Sequence, residues 1–427
     1  MRIPMLFRFS LYGFLKNQQY YEPFLILAFL EKGLSFFMIG LLIGFRELSI
    51  NLMEVPTGVI ADLCGRRRSM ILSFVGYIIA FAIFGTCSPV WTLFLAMFFF
   101  AIGEAFRTGT HKAMILDWLR LQGREDEKTK TYGYTRSWSK MGSALSVILA
   151  AGLVFYTGRY GDIFLFSIVP YLLGILNFLG YPHELDGRQK QDASLQRIIA
   201  SLRLAFRKAL FERRLRRVLL EGMGYESICK VTKDYLQPVM RQIATGAILL
   251  SLPVLFHLGE FQRTAVLIGA VYLLLNLGAS LASRRAHRFA SRFGGESRAA
   301  RHVWWITVAV FAVIVAGLGT GALLPAALGF VVLELLRNFW RPIVITRVDN
   351  ETDSEMGATM LSIESQGKAA GAMILAPLIG YGVDHLAAAP GQPALWVVGA
   401  AGLAIALLGA LAPTMSPAPA ERNVSEK

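Results

Sequence analysis

The chain has 427 residues, 55% of them hydrophobic and only 17% charged, with a net charge of +14 and a mean hydropathy of +0.50. A soluble domain carries about 25% charged residues, so this composition excludes an ordinary water-soluble fold and points to a chain that crosses a membrane many times. Three scattered cysteines, Cys64, Cys87 and Cys229, exclude a disulfide framework or a thiolate metal site and read as small apolar packing residues.

Residues 1–20 set Arg2, Arg8 and Lys16 among Phe, Leu and Tyr, with no small-residue cleavage site. They predict an amphipathic helix on the cytosolic face rather than a cleaved leader. A span needs about 20 apolar residues. Runs of that kind predict twelve, near 23–45, 48–63, 69–86, 90–117, 137–157, 162–182, 217–239, 264–283, 302–320, 323–346, 357–381 and 393–412. Pro23 suits a first helical turn, and Pro56 predicts a kink in the second span. The run 243–258, which holds Pro253, competes as a thirteenth. With twelve spans, 31 of the 43 Lys and Arg residues face one side and four (Arg46, Arg159, Arg241 and Arg263) face the other. A thirteenth span would spoil that asymmetry. Residues 240–263 therefore read as an external excursion, and both termini as cytosolic. The charge pattern suits orientation in a plasma (inner) membrane, not nucleic-acid binding.

The resulting plan has a cytosolic segment 1–20, a six-span half 21–182, a basic cytosolic linker 183–216, a second half 217–413 and a disordered tail 414–427. The linker reads equally as an amphipathic helix on anionic lipid or as a plain basic connection. The tail is rich in proline and charge.

The stretch Glu54–Arg68, EVPTGVIADLCGRRR, joins the second and third predicted spans. Gly58, Asp62 and Gly65 bracket a tight turn before Arg66, Arg67 and Arg68. The pattern G-x-x-x-D-x-x-G-R-R resembles the signature loop of the major facilitator superfamily of transporters. That resemblance implies an all-α membrane fold of twelve helices in two pseudo-symmetric six-helix bundles. It also implies a cytosolic gate made by Gly58, Asp62, Gly65, Arg66 and Arg67, with Asp62 against the start of the eleventh span. Leu63 stands where the family usually has a basic residue, which removes one ion pair from the gate.

The halves echo each other. The fourth span holds GEAFRTGTHKAMILDW and the tenth LELLRNFWRPIVITRV. A shift of 230 residues lays Glu104 on Glu334, Arg107 on Arg337 and His111 on Arg341. Spacings of i, i+3 and i+7 share one helical face.

Ionisable residues within the predicted spans are the main functional signal, because each costs roughly 2.5–3.5 kcal/mol at mid-bilayer. The candidates for a substrate and proton-coupling cavity are Glu31 and Lys32, Glu54, then Glu104, Arg107 and His111, then Glu226 and Lys230, and finally Glu334 and Arg337. Glu226 and Lys230 are spaced as an i,i+4 ion pair. Spans three, six, eight, nine and twelve carry no charge in their interiors. The resemblance implies the same sorting, with spans one, four, seven and ten around a central cavity.

No H-E-x-x-H, G-x-S-x-G or P-loop motif occurs, which argues against an enzyme, a metal site, a cofactor and an ATP-driven pump. The expected function is secondary active transport by alternating access in a monomer. The first expectation is proton-coupled efflux of an amphiphilic or drug-like molecule. The second is proton-coupled uptake of an organic anion or zwitterionic metabolite. A non-transporting receptor on the same fold is the alternative of another class.

Overall fold

In a computed structural model of the chain, the described residues are 4–107, 110–186, 204, 206–246, 257–352, 356–386 and 393–412. Among them there are helices and turns and no strand. Eight helices are long and apolar enough to cross a membrane by themselves.

The first pass is broken: α1 (Met5–Lys16) and α2 (Leu25–Glu31) are separated by a short 3-10 turn, Glu22–Phe24. Passes two and three are α3 (Phe36–Cys64) and α4 (Arg66–Thr86), and α5 (Val90–Arg107) with α6 (Thr110–Leu121) form the fourth. Helices α7 (Lys128–Thr157) and α8 (Asp162–Leu179) complete the first half. The seventh pass is also broken, into α9 (Arg213–Thr232) and α10 (Leu236–Thr245) around the turn Lys233–Tyr235. Five helices follow: α11 (Glu260–Arg292), α12 (Glu296–Thr320), α13 (Leu323–Asn350), α14 (Gly357–His385) and α15 (Trp396–Leu411). This is a twelve-pass, all-α membrane protein.

Three sequence expectations change. First, residues 1–20 hold no surface helix. α1 packs against α7 and α8, with Phe9 fully buried and Tyr12 nearly so. Gln18 Nε2, in the polar run Asn17–Gln19, donates to Gly142 O at 3.1 Å inside the bundle. Second, the predicted spans 23–45 and 48–63 do not exist as such. Gly33, at φ +82°, turns the chain within the first run, and α3 absorbs the rest. Arg46, expected outside, therefore lies within a membrane helix. Third, residues 243–245 belong to α10, whereas residues 247–256 of the proposed excursion lie outside the described residues. So do residues 187–203 of the linker and the tail from 413.

Each half has an aromatic core. Tyr77, Phe81, Phe100 and Tyr171 interlock in the first, with Tyr77 and Tyr171 stacked at 4.7 Å. In the second, Tyr225 stacks on Trp340 at 4.2 Å and meets Trp304 edge-on at 5.1 Å.

The halves meet chiefly through α3 against α14 and α7 against α11. Glycines allow the approach. A Cβ on Gly40 would lie 2.4 Å from Ala376 O, and one on Gly380 would lie 2.2 Å from Phe36 O. These contacts sit toward the end of the bundle marked by Glu31 and Asp384, here the Glu31 end. Gly65, at φ +96°, marks the other. Among the described residues, every hydrogen bond or ion pair joining the halves lies between the Glu31 end and the Asn51 Nδ2 contact to Gln366 O. A Gly40→Val substitution should wedge the halves apart there at roughly 1–3 kcal/mol. Spin labels at Arg159 and Leu386, with the native cysteines replaced, should report a longer distance than in the parent; an unchanged distance distribution would show that the close packing is dispensable.

Candidate functional site: a polar cleft between the halves

Both broken passes open onto one cleft. Asn17, Gln19 and Glu22 come from the break in the first pass, and Lys233 and Leu236 from the break in the seventh. Ser143 and Ser146 of α7, Tyr272 and Asn276 of α11, and Glu334 of α13 complete its polar lining. The cleft holds about 690 Å³ of empty space, its open mouth included.

Lys233 Nζ reaches Glu22 Oε1 at 2.6 Å and ties the halves together. Gln237 Nε2 donates to Glu22 O at 2.9 Å, and its Oε1 accepts from Ile26 N at 2.8 Å. A helix interruption leaves backbone groups unpaired, which hydrocarbon does not tolerate. Here one side chain of the second half satisfies the first half's break. Ser146 Oγ, buried at the wall, has no hydrogen-bond partner among the described residues.

A second crossing lies one turn earlier on α9. Lys230 Nζ contacts Glu47 Oε2 at 2.5 Å, and Arg46 Nη2 holds Glu47 Oε1 at 2.9 Å. At the Glu31 end, the Asp384 carboxylate accepts from Phe36 N at 3.1 Å and Phe37 N at 2.7 Å. That places an anion of α14 on the positive end of α3.

Within the halves, the repeated Glu–Arg pairs adopt related but unequal settings. Arg107 pairs with Glu104, and Tyr77 OH bridges both. Arg337 Nε binds Glu226 Oε2 at 3.1 Å and reaches Glu334 only at 3.4 Å. Glu334 is thus the loosely held carboxylate, and of these three glutamates it alone lines the cleft. Glu226 and Lys230 do not pair with each other, since each has a partner on another helix.

Other expected site residues lie elsewhere. Glu31 is exposed at the end of α2, where it accepts from Gly161 N at 2.7 Å. Lys32 donates to Cys87 O at 3.0 Å. Both follow from the shifted first pass, which puts them at the end of α2 instead of inside a span. His111 packs among Phe9, Tyr12, Phe178 and Tyr181, with its ring 3.8 Å from that of Tyr12. Its neighbours are the rings of α1 and of the end of α8, and the cleft lining does not include it. Glu54 is partly buried in α3, and the cleft lining does not include it.

The profile of the Major Facilitator Superfamily matches residues 17–363. The chain belongs to this family. It is 25% identical over 256 residues to the uncharacterized MFS-type transporter YxaM of Bacillus subtilis (strain 168), a match that spans 58% of this chain and 60% of that relative's length. Among solved structures, the nucleoside transporter NupG superposes with a TM-score of 0.77 at 12% identity, over 95% of this chain and 98% of that one. A POT family transporter in complex with 5-aminolevulinic acid gives 0.68 at 16% identity, over 94% of each chain. The D-xylose-proton symporter gives 0.63 at 13% identity, over 95% of this chain and 96% of the other. At such identities the likeness establishes the fold.

In this superfamily member the arginines of the signature loop are anchored inside their own half. Arg66 pairs with Asp117 of α6. Arg67 donates from Nε to Phe178 O at 3.0 Å and from Nη2 to Leu179 O at 2.9 Å, and its backbone N donates to Asp186 Oδ1 at 2.8 Å. A Cβ on Gly65 would touch that Asp186 carboxyl at 3.0 Å. Gly58 faces open space. Asp62 sits in the last turn of α3, and its side chain lies outside the described residues.

Sequence reading missed Glu22, Arg46, Glu47 and Gln237. Glu22 stands beside Pro23 at an apparent span start, where an acid looks like an interfacial residue. A Gln237→Leu variant keeps the side chain's bulk but orphans Ile26 N and Glu22 O. It should cost about 1–3 kcal/mol, read as a lower unfolding temperature in detergent, whereas Gln242→Leu on the same helix should not.

Proposed function

We propose that the protein is a secondary active transporter of a small, polar, zwitterionic solute, with protons coupled through Glu334. The observation that carries this reading is the cleft itself: it lies between the halves at two broken helices, is joined across by Glu22 and Lys233, and is sealed toward one end. Helix breaks in a membrane protein persist where they line an aqueous cavity or are buried in protein. A carboxylate and an ammonium facing each other, with serine, asparagine and glutamine around them, can exchange their mutual contact for a solute's amino and acidic groups. An apolar drug-like molecule would leave those groups unpaired, so the lining favours the zwitterion over the amphiphile. Glu334 fits the coupling role because its contacts to Arg337 are long and it faces the cleft.

The Gly65 end is assigned to the cytosol of a plasma membrane. Arg66–Arg68, Arg120, Arg124, Arg213, Arg214, Arg284, Arg285 and Arg288 cluster there, as the positive-inside rule requires. The seal at the Glu31 end then makes this an inward-facing state. Solute would enter when the Glu22–Lys233 and Glu47–Lys230 crossings part and the Gly65 ends converge.

The test uses purified protein in proteoliposomes. Nucleosides, dipeptides, amino acids, pentoses and a lipophilic dye are first ranked by thermal stabilisation. A hit should accumulate when the outside is acidified, and Glu334→Gln should lower that accumulation at least tenfold while solute counterflow continues. Transport indifferent to the pH gradient would remove the coupling. Stabilisation by the dye alone would favour amphiphile efflux. Binding without any movement would make the protein a receptor.

A further inference from the structure

A second cavity lies on the outer wall of the second half, away from the cleft. It runs between the start of α9 and the end of α15, with Trp304 of α12 as part of its lining, and holds about 970 Å³ of empty space, its open side included. Arg213, Arg216, Leu220 and Gly224 contribute from α9, at spacings that keep them on one face. Leu408 and Gly409 form the opposite wall.

The groove is polarised along its length. Its arginine end lies where α9 begins, at the Gly65 end. Its other end lies eleven residues further, about 16 Å at the helical rise, which is near half the hydrocarbon thickness of a bilayer. Leu220 is 60% exposed and Leu408 74% exposed, and a Cβ on Gly224 would meet nothing within 4 Å. Of the lining arginines, Arg217 is taken by Glu221, which Arg347 also binds. Arg213 and Arg216 have no carboxylate partner among the described residues; Arg216 only donates to Leu210 O at 2.7 Å. Trp304, only 3% exposed, closes one side of the groove.

We propose that this groove seats one anionic phospholipid. Its phosphate lies against Arg213 and Arg216, and an acyl chain runs along Leu220, Gly224 and Leu408. The match is one of charge and length together. Two unpaired cations at a membrane boundary, continuous with an apolar channel, fit a molecule that is an anion at one end and hydrocarbon at the other. The arginines belong to the first turn of the seventh pass, so an occupied groove fixes the join between the linker and the second half.

Native mass spectrometry of the full chain, with matched phosphatidylglycerol and phosphatidylcholine, tests this. The wild type should retain one phosphatidylglycerol in preference to phosphatidylcholine. Each arginine near an anionic headgroup contributes roughly fivefold, so Arg213→Ala with Arg216→Ala should erase most of that preference. Gly224→Leu, which fills the groove and leaves the arginines in place, should lower retention of both lipids. Equal retention of the two lipids by the wild type would overturn the proposal. So would an unchanged preference in the arginine variant, or inorganic phosphate displacing the lipid, which marks a free-anion site. Because none of these readouts involves transport, their failure would leave the function of the cleft untouched.

Discussion

Two interrupted helices face each other across the middle of this protein, and the contact between them organises the rest. Lys233 binds Glu22, and Gln237 supplies the hydrogen bonds that the first pass loses at its break. In water such breaks would be solvated. In a bilayer they need partners in the protein, and these partners sit in the opposite half. The association of the halves is therefore written into the backbone chemistry of the first and seventh passes, not only into their apolar surfaces.

Apart from this pair and Glu47–Lys230, each half looks after its own charges. Arg107 is neutralised by Glu104 beneath Tyr77. Arg337 is shared between Glu226 and Glu334, and Arg341 is held by the buried Glu364 at 2.6 Å. Even the signature arginines Arg66 and Arg67 bond within the first half. Such self-sufficiency suits two bodies that rock against one another. The cross-connections are few, polar and confined to the Glu31 side, next to glycine-lined helix contacts on α3 and α14. Ion pairs of this kind gain little over water once they can be hydrated, so they can be exchanged as the halves move.

Much of the fold was legible in the sequence because apolar run length and the Gly65 turn are local signals. Ten of the twelve passes fall where the runs predict them. The first two do not, for a physical reason: the cavity makes the first pass polar at its centre. Asn17, Gln18, Gln19 and Glu22 look like a membrane border until Gln18 is seen bonded to Gly142, and Glu22 to Lys233 and Gln237. That one shift displaced Glu31 and Lys32 from the membrane interior and hid Arg46 and Glu47, which pair with each other and with Lys230. The Glu–Arg repeat at 104/107 and 334/337 was readable from spacing. The fate of His111 was not, because the rings that enclose it, Phe9 and Tyr12 of α1 and Phe178 of α8, come from distant parts of the chain.

If the Glu22–Lys233 contact holds the cleft shut toward one side of the membrane, access to Asn276 depends on it. The most direct measurement is labelling of a single cysteine at Asn276 by a membrane-impermeant maleimide, applied from either face of oriented vesicles, with the native cysteines replaced. With the ion pair intact, labelling should come only from the Gly65 face. With Glu22→Gln and Lys233→Met it should appear from the Glu31 face as well. Equal labelling from both faces in the intact protein, or no change when the pair is removed, would mean that the ion pair closes nothing.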